Sequence, residues 1–334
     1  MKDRQTYGRG CILENGIRIL RPGFPPTPKR PVRRLALLLL LGLAVMAGTA
    51  GCSERPAPPE APSTFTDDLG RTVQLPPTIG RIVTVAPSLT EIVFAAGAGS
   101  RLVGVTTADD YPPAVDTLPR FSALPMNFEA VAALRPDVVL ATTQINNPRD
   151  AETFAALGIP MLFFSFRRLE DVPRVLRRIG EVLDTEEVAH AAARTFEDRL
   201  AGLRARTDTL TDRPRVLFLI GDETLFAFGR ESYIHTLIEV AGGTSLTRDL
   251  PTEAPILSDE FVLTHPPDVI VGTFGENYDP ARLLAAHPTW HLLPAVREGR
   301  IYSFAPDLFL RPGPRLVDGA CLLARRLHPS LPLP

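Results

Sequence analysis

The chain has 334 residues, with 36 Lys and Arg against 38 Asp and Glu, a net charge of −2 and a hydrophobic share of 45%, enough for a full core. Residues 1–51 hold nine of the basic and two of the acidic residues, so the remainder carries 27 basic against 36 acidic residues, a net of −9, which argues against nucleic acid as a partner. Cysteine is confined to Cys11, Cys52 and Cys321, so no disulfide framework is expected.

At the N-terminus, Lys29, Arg30, Arg33 and Arg34 precede the apolar run 35–47, and the small residues 48–51 lead to Cys52. A basic stretch, a Leu-rich run and a small-residue cleavage region make a secretory signal. A Cys directly after Ala-Gly resembles a bacterial lipobox, in which Cys52 becomes the lipidated first residue, although Thr49 stands where Leu is usual. The alternative is an uncleaved anchor, for which the run falls short of the ~20 apolar residues of a spanning helix. Residues 1–28 are unusual ahead of such a signal, and Val32 is an alternative start. Beyond Cys52, residues 53–63 are Pro-rich and without large apolar groups, an extended tether. The expected organisation is a presequence and signal (1–51), a tether (52–64), an α/β lobe (65–168), a helical segment (169–210) and a second α/β lobe (211–334).

Residues 67–73 read as a small hairpin with Leu69-Gly70 at the turn, and 81–86 as a buried strand. Next comes a capping-box pattern, Ser88 as N-cap and Glu91 three residues on, opening a helix that Gly97 stops. A strand at 102–106 leads to the loop 109–113. A helix at 128–134, a strand at 138–142, a helix at 151–157 and a strand at 160–165 follow. Strands alternating with helices predict parallel βα units. Residues 169–209 show helical periodicity with divisions at Gly180 and Asp184, and 185–206 suits one continuous helix connecting two lobes. The second lobe repeats the order: strand 215–220, helix 233–241, helix 261–264, strand 269–272, helix 281–286, strand 300–304 and a closing helix 314–327. Cys321 falls in that helix's apolar pattern, as a core thiol.

One pattern occurs twice. Asn127-Phe128-Glu129 precedes Arg135-Pro136-Asp137-Val138-Val139, and Ser258-Asp259-Glu260 precedes Pro266-Pro267-Asp268-Val269-Ile270, the Pro seven positions after the Glu in both. A distant repeat in unchanged order suggests two similar lobes. A carboxylate in a helix's first turn complements its dipole, worth ~0.3–1 kcal/mol. Dipole complementation alone does not require the same placement twice, so Glu129 and Glu260 also read as a pair of docking groups.

The segments 81–83 and 86–91, 102–105, Asp110-Tyr111-Pro112-Pro113, 135–139, Pro288-Thr289-Trp290, 299–302 and 311–318 resemble, in order, the periplasmic binding proteins of ABC importers for vitamin B12, ferric siderophores and haem. The resemblance covers residues 81–329. It implies an α/β fold of two Rossmann-like lobes joined by one long rigid helix, with the ligand cleft between them. It also implies an exported, lipid-anchored protein with no intrinsic cofactor, working as a monomer with an ABC permease and its ATPase. In that family a Glu on each lobe engages arginines of the permease, the role that falls to Glu129 and Glu260.

By the rule that ligands bind at the C-terminal ends of the strands, the cleft is lined by Pro87, Ser88, Leu89, Tyr111 and Thr142 from one lobe. The other lobe supplies Phe226, Phe228, Phe274, Tyr278, Phe309 and Arg311. An aromatic lining suits a large, partly flat metal chelate. Tyr111-Pro112-Pro113 most resembles the vitamin B12-binding branch, which favours a corrinoid, while Ala108, Ala123 and Thr142 stand where that branch tends to have aromatics. A siderophore-type site would want Arg to pair with an anionic chelate, a role for Arg311 and Arg315; alternatively Arg315 opens the last helix and pairs with Asp318. All six His lie at 190 or later, and His287 and His291, four apart, are interrupted by Pro288, so no metal site is expected. The glycine-rich stretch 97–104 follows a helix, the wrong context for a dinucleotide loop. No Gly-x-Ser-x-Gly elbow or P-loop is present, and a hydrolase would have to bring Ser88, Asp222 and His235 together. The expected protein is a binding protein and not an enzyme.

Overall fold

The structure, a computed structural model, describes residues 63–275 and 277–332. Cys52, the signal and most of the tether lie outside the described residues. Among the described residues, no helix is long and apolar enough to cross a membrane.

The first element is the expected hairpin, β1 (Ser63–Thr66) antiparallel to β2 (Thr72–Leu75), turning at Gly70 with φ +77°. Its two turn aspartates are the reason it stays attached. Asp67 Oδ1 accepts from the Leu69 and Arg71 amides at 3.1 and 3.0 Å and its Oδ2 accepts from the Phe163 amide at 3.2 Å. Asp68 accepts from the Ser165 amide at 2.7 Å and from the guanidiniums of Arg174 and Arg178.

The first lobe is a parallel sheet in the order β5 (Arg120–Phe121), β4 (Leu102–Thr106), β3 (Ile82–Thr84), β6 (Val138–Thr142), β7 (Met161–Phe164). Its helices are α1 (Pro87–Ala95), α2 (Phe128–Ala133) and α3 (Asp150–Ala156). Two antiparallel helices follow, α4 (Asp171–Leu183) and α5 (Glu186–Thr207). The second lobe orders its parallel strands β11 (Ile301–Ser303), β10 (Val269–Gly272), β8 (Arg215–Leu219), β9 (Thr244–Ser245). Its helices are α6 (Tyr233–Val240), α7 (Asp259–Thr264), α8 (Pro280–Ala286), α9 (Pro294–Arg297) and α10 (Leu316–Leu327). The series β4-β3-β6-β7 and β9-β8-β10-β11 run in the same order, so the second lobe repeats the first without its edge strand β5. Neither two-residue strand, β5 or β9, shows an apolar run in the sequence.

Two details differ from the sequence reading. Ser88 is not an N-cap: Ala86 holds that position, Pro87 opens α1, and Ser88 and Glu91 are buried within it. Gly180 does not divide the helical segment. It lies inside α4, where an added Cβ would stand 2.5 Å from the Ala189 Cβ of α5, so it is a packing position. The break comes only at Asp184, left-handed at φ +52°.

Helix α5 buries Ala189, Ala193, Phe196, Leu200, Leu203 and Thr207, spaced alternately four and three, which puts them on one face. That face joins one continuous core holding Leu89 and Ile92 of the first lobe, Ile179 of α4, and Val216, Ile234 and Leu323 of the second. The outer face of each sheet has its own smaller core. Shared packing of this kind resists hinge bending, because cores are not continuously deformable. Asp68→Ala, which removes the hairpin's bonds to Ser165, Arg174 and Arg178, should lower stability by roughly 1.5–3 kcal/mol; an unchanged thermal midpoint would contradict this anchoring.

Candidate functional site

The repeated pattern folds the same way in both lobes. Asn127 Oδ1 caps α2 by accepting from the Ala130 amide at 3.0 Å, and Ser258 Oγ caps α7 by accepting from the Phe261 amide at 3.2 Å. Glu129 and Glu260 are each the second residue of a six-residue helix, and both are exposed. The repeated aspartates do something else. Asp137 Oδ2 accepts from the Gly80 and Arg81 amides at 2.8 Å, and Asp268 Oδ2 accepts from the Arg215 amide at 2.8 Å. Each ties the start of its lobe's central strand to the start of the neighbouring one. The Asp of the pattern is therefore architectural, while no hydrogen bond or ion pair among the described residues occupies either Glu carboxylate.

Between the lobes, at the C-terminal ends of the strands, lies a pocket of ≈ 360 Å³. Pro87, Ser88, Thr142, Gln144 and Ile145 line it from the first lobe, and Phe228, Ser232, Tyr233, Glu253 and Arg311 are among those lining it from the second. Thr142 Oγ1 is buried there without a hydrogen-bond partner, although buried polar groups are nearly always paired. Exposed Ile145, Ile220, Phe226 and Ile256 add an apolar rim. The second-lobe wall is a loop folded back on itself: the Ala227 and Gly229 amides donate to the carbonyls of Pro255 and Glu253 at 2.9 and 3.0 Å. Gly229 is required for that approach, since a Cβ there would meet the Thr252 carbonyl at 2.0 Å.

Charge at the cleft is organised by the contacts of two arginines, Arg311 and Arg315, between and within the lobes. Arg315 makes a bidentate pair with Glu91, at 2.9 and 2.6 Å, across the lobes. Burial pushes the Glu91 carboxyl up and the Arg315 hydrogen bond pulls it back, with burial the larger effect. Arg311 crosses to Asp110 and to the Ala108 carbonyl (3.0 Å), and also holds Asp307 on its own loop at 2.9 Å. Its hydrogen bond holds the Asp110 carboxyl below the usual range. Neighbouring Asp109, buried and bonded through Oδ2 to the Thr106 amide and hydroxyl at 2.8 and 2.6 Å, is pushed up by burial.

The sequence-predicted ligand residues are thus dispersed. Pro87, Ser88, Thr142, Phe228 and Arg311 line the pocket. Leu89 and Phe309 do not: both are fully buried, Phe309 against Phe218 and Phe304 at 5.5 and 4.9 Å. Phe274 and Tyr278 pack against each other, ring centres 4.4 Å apart and tilted by 39°, over the outer core of the second lobe, and the Tyr278 hydroxyl donates to Asp222 at 3.0 Å. Burial and that carboxylate push the Tyr278 phenol up. Phe226 stands on the rim, bridged to Ile256. Tyr111 keeps an exposed ring with the Arg315 guanidinium 4.0 Å above its centre. Arg315 takes Glu91 and not Asp318, which pairs with Arg199 at 2.5 Å. Sequence reasoning missed the pocket wall from Ser232, Tyr233 and Glu253. No alternation or motif marks that loop, and only the compact Pro-Thr-Glu-Ala-Pro run at 251–255 hints at a turn.

His287 and His291 do not converge. His287 is buried, 2.7 Å from Asp259 and stacked on Trp290, while His291 faces the Pro288 carbonyl at 2.6 Å. Asp222 is engaged by Tyr278 and Arg282, and His235 faces Glu239 at 3.4 Å. No hydrogen bond among the described residues joins either to Ser88. Cys321 is half-buried against the central core, and burial pushes its thiol up.

Residues 82–308 match the periplasmic binding protein family. The chain belongs to that family. An uncharacterized ABC transporter substrate-binding lipoprotein of Bacillus subtilis is 28% identical over 302 residues, 89% of this chain and 95% of its own. Among solved structures, the periplasmic vitamin B12 binding protein of Vibrio cholerae aligns with TM-score 0.66 and 25% identity over 75% of this chain and 96% of its own. A periplasmic heme binding protein from Pseudomonas aeruginosa aligns with TM-score 0.68 and 28% identity over 76% and 94%. The protein is accordingly a substrate-binding protein of the ABC-importer type, which acts outside the cytoplasm and hands its ligand to a permease; the family's members are binding proteins and not enzymes.

Burial pushes the Glu253 carboxyl up, against the pull of Arg167 and a hydrogen bond from Gln144. A raised carboxyl gives the folded state its full advantage below the unfolded value of 4.5 and loses it as pH rises through the folded value. Glu253→Gln should therefore match the parent's stability at low pH and exceed it at neutral pH. A stability difference that is constant across that range would contradict the placement of this carboxylate.

Proposed function

We propose that this protein captures a corrinoid outside the cytoplasmic membrane, held there by lipid on Cys52, and delivers it to an ABC permease through Glu129 and Glu260. The observation that carries the ligand class is the state of Arg311. It is the single cation among the described residues lining the pocket, and it is already held by Asp110 and Asp307. Its neighbour Arg315 is held by Glu91. What the pocket offers a ligand is apolar surface, Ser88, Ser232, Gln144 and the Glu253 carboxylate. That supply suits a ring compound edged with amides and without net negative charge, as a corrinoid is. It suits poorly the carboxylates of haem or an anionic ferric chelate, which want unpaired arginines.

Tyr111 supports a second reading. An exposed phenol beneath a guanidinium is a chemically sound ligand for ferric iron, and the haem-binding relative keeps that reading in play. Glu129 and Glu260 support docking because they are exposed, equivalently placed and, among the described residues, engaged by no architectural bond.

Calorimetric titration with cyanocobalamin, haemin and a ferric hydroxamate tests the ligand class. One-to-one binding of cyanocobalamin, well above the other two, is expected. Binding of haemin with a phenolate-to-iron absorption band that Tyr111→Phe abolishes would move the function to haem uptake. The double variant Glu129→Ala, Glu260→Ala should bind ligand as the parent does while uptake in cells is lost; lost affinity would contradict the docking role.

A further inference from the structure

Glu129 and Glu260 each have an exposed apolar neighbour in a matching place. Leu124 is 67% exposed and Ile256 65%, the two most exposed large apolar side chains among the described residues. Single exposed aliphatics are ordinary on protein surfaces. These two follow the repeat. Leu124 stands three residues before the Asn127 cap of α2, and Ile256 two residues before the Ser258 cap of α7. In both segments the residue next to the cap turns inward, Met126 against the outer core of the first lobe and Leu257 into that of the second. The aliphatic ahead of it is left outside.

Backbone bonds hold both in place. The Asn127 amide donates to the Ser122 carbonyl at 3.0 Å and Ala123 bridges Met126, so Leu124 and Pro125 form the tip of a short turn. Ile256 lies across from Phe226: the Ala227 amide donates to the Pro255 carbonyl at 2.9 Å, and the Leu257 amide to the Leu225 carbonyl at 3.0 Å. Those bonds flank the Phe226–Ile256 pair, which makes it the non-hydrogen-bonded kind, in which side chains come closest. Phe226 is itself exposed and leaves Ile256 uncovered. A helix that leads into a parallel strand runs against it, and α2 leads into β6 as α7 leads into β10. The first turns of both helices therefore lie at the C-terminal ends of the strands. Glu129, Glu260, Leu124 and Ile256 all stand at the end of the molecule where the cleft opens.

We propose that Leu124 and Ile256 are the apolar anchors of the permease-docking face, each seated beside one glutamate in an apolar socket of the permease. This deepens the docking reading of Glu129 and Glu260 and rests on it for the choice of partner. Exposed ion pairs are weak and screened by salt, so two carboxylates steer and orient a partner but hold it poorly. Burying two aliphatic side chains supplies the holding, because that gain does not depend on charge. The partner that fits is a surface with two cations, one for each lobe, each bordered by an apolar depression. A permease that receives the ligand must meet this end, since the cleft opens there.

The test is ligand-free binding of the full chain to its own permease and ATPase, purified and immobilised in detergent, so that the result does not depend on the corrinoid reading. Leu124→Ala and Ile256→Ala should each weaken binding about tenfold through faster dissociation, and together roughly 100-fold, with the salt dependence unchanged. Glu129→Ala with Glu260→Ala should instead slow association and flatten the salt dependence. Leu157→Ala removes another exposed leucine, one that follows α3 and leads into β7 at the opposite ends of the strands, and should bind as the parent does. Parent-like binding by the Leu124→Ala, Ile256→Ala double variant overturns the anchors, and so does an equal loss in Leu157→Ala. If the glutamate variant is the one that binds like the parent, the charged half of docking falls and the anchors stand on their own dissociation rates. A parent that sediments as a dimer, with the Leu124→Ala, Ile256→Ala variant monomeric, would assign the two aliphatics to a second copy and overturn the proposal.

Discussion

The relation between the two lobes depends on one buried pair, Arg315 with Glu91. Removing one partner of a buried ion pair typically costs about 3–5 kcal/mol, because the other charge is left stranded. Here the pair also sets direction. Arg315 is the residue that precedes α10, and Glu91 lies in the middle of α1, so two planar hydrogen bonds fix the angle at which the closing helix meets the first lobe. Gly313 keeps the approach open: a Cβ there would lie 3.3 Å from Glu91 Oε2. With α5 buried along its length in a core shared by both lobes, the molecule has a stiff spine on one side and an ionic fastening on the other. The cleft lies between them, at the ends of the strands.

That arrangement explains the character of the site. Arginines that would otherwise select an anion are spent on joining lobes, so recognition is left to shape, apolar surface and uncharged hydrogen-bonding groups. A hydroxyl buried without a partner among the described residues at Thr142 costs stability. On the outside, Glu129 and Glu260 sit on short helices whose caps and following strands are fixed by the same bonds in each lobe. Duplication of the whole unit thus gives two carboxylates in equivalent settings, one per lobe.

Much of this was legible in the sequence, for physical reasons. The βα alternation, the long charged helix and the closing helix show in apolar periodicity and in Gly and Pro punctuation, which are local. The twofold pattern announced the repeat, and its Asp turned out to tie adjacent strands, a role that spacing alone could not reveal. What failed were readings that needed partners far apart in the chain. Ser88 and Glu91 look like a capping box, yet Pro87 starts the helix two residues earlier than that box would and Glu91 finds Arg315, 224 residues away. Leu89 and Phe309 follow strand ends, where cleft residues belong, but their side chains turn inward because each sits at the start of buried packing. The wall carrying Glu253 was invisible because its folding back onto residues 225–230 is made of backbone bonds, which carry no side-chain signature.

The central claim is that the cleft's arginines serve the protein and not the ligand. A crystal structure of the ligand-loaded protein tests it most directly. The account predicts that Arg315 remains on Glu91 and Arg311 on Asp307, with no guanidinium paired to a ligand anion. Either arginine found off its carboxylate and on a carboxylate or other anionic group of the ligand would contradict it.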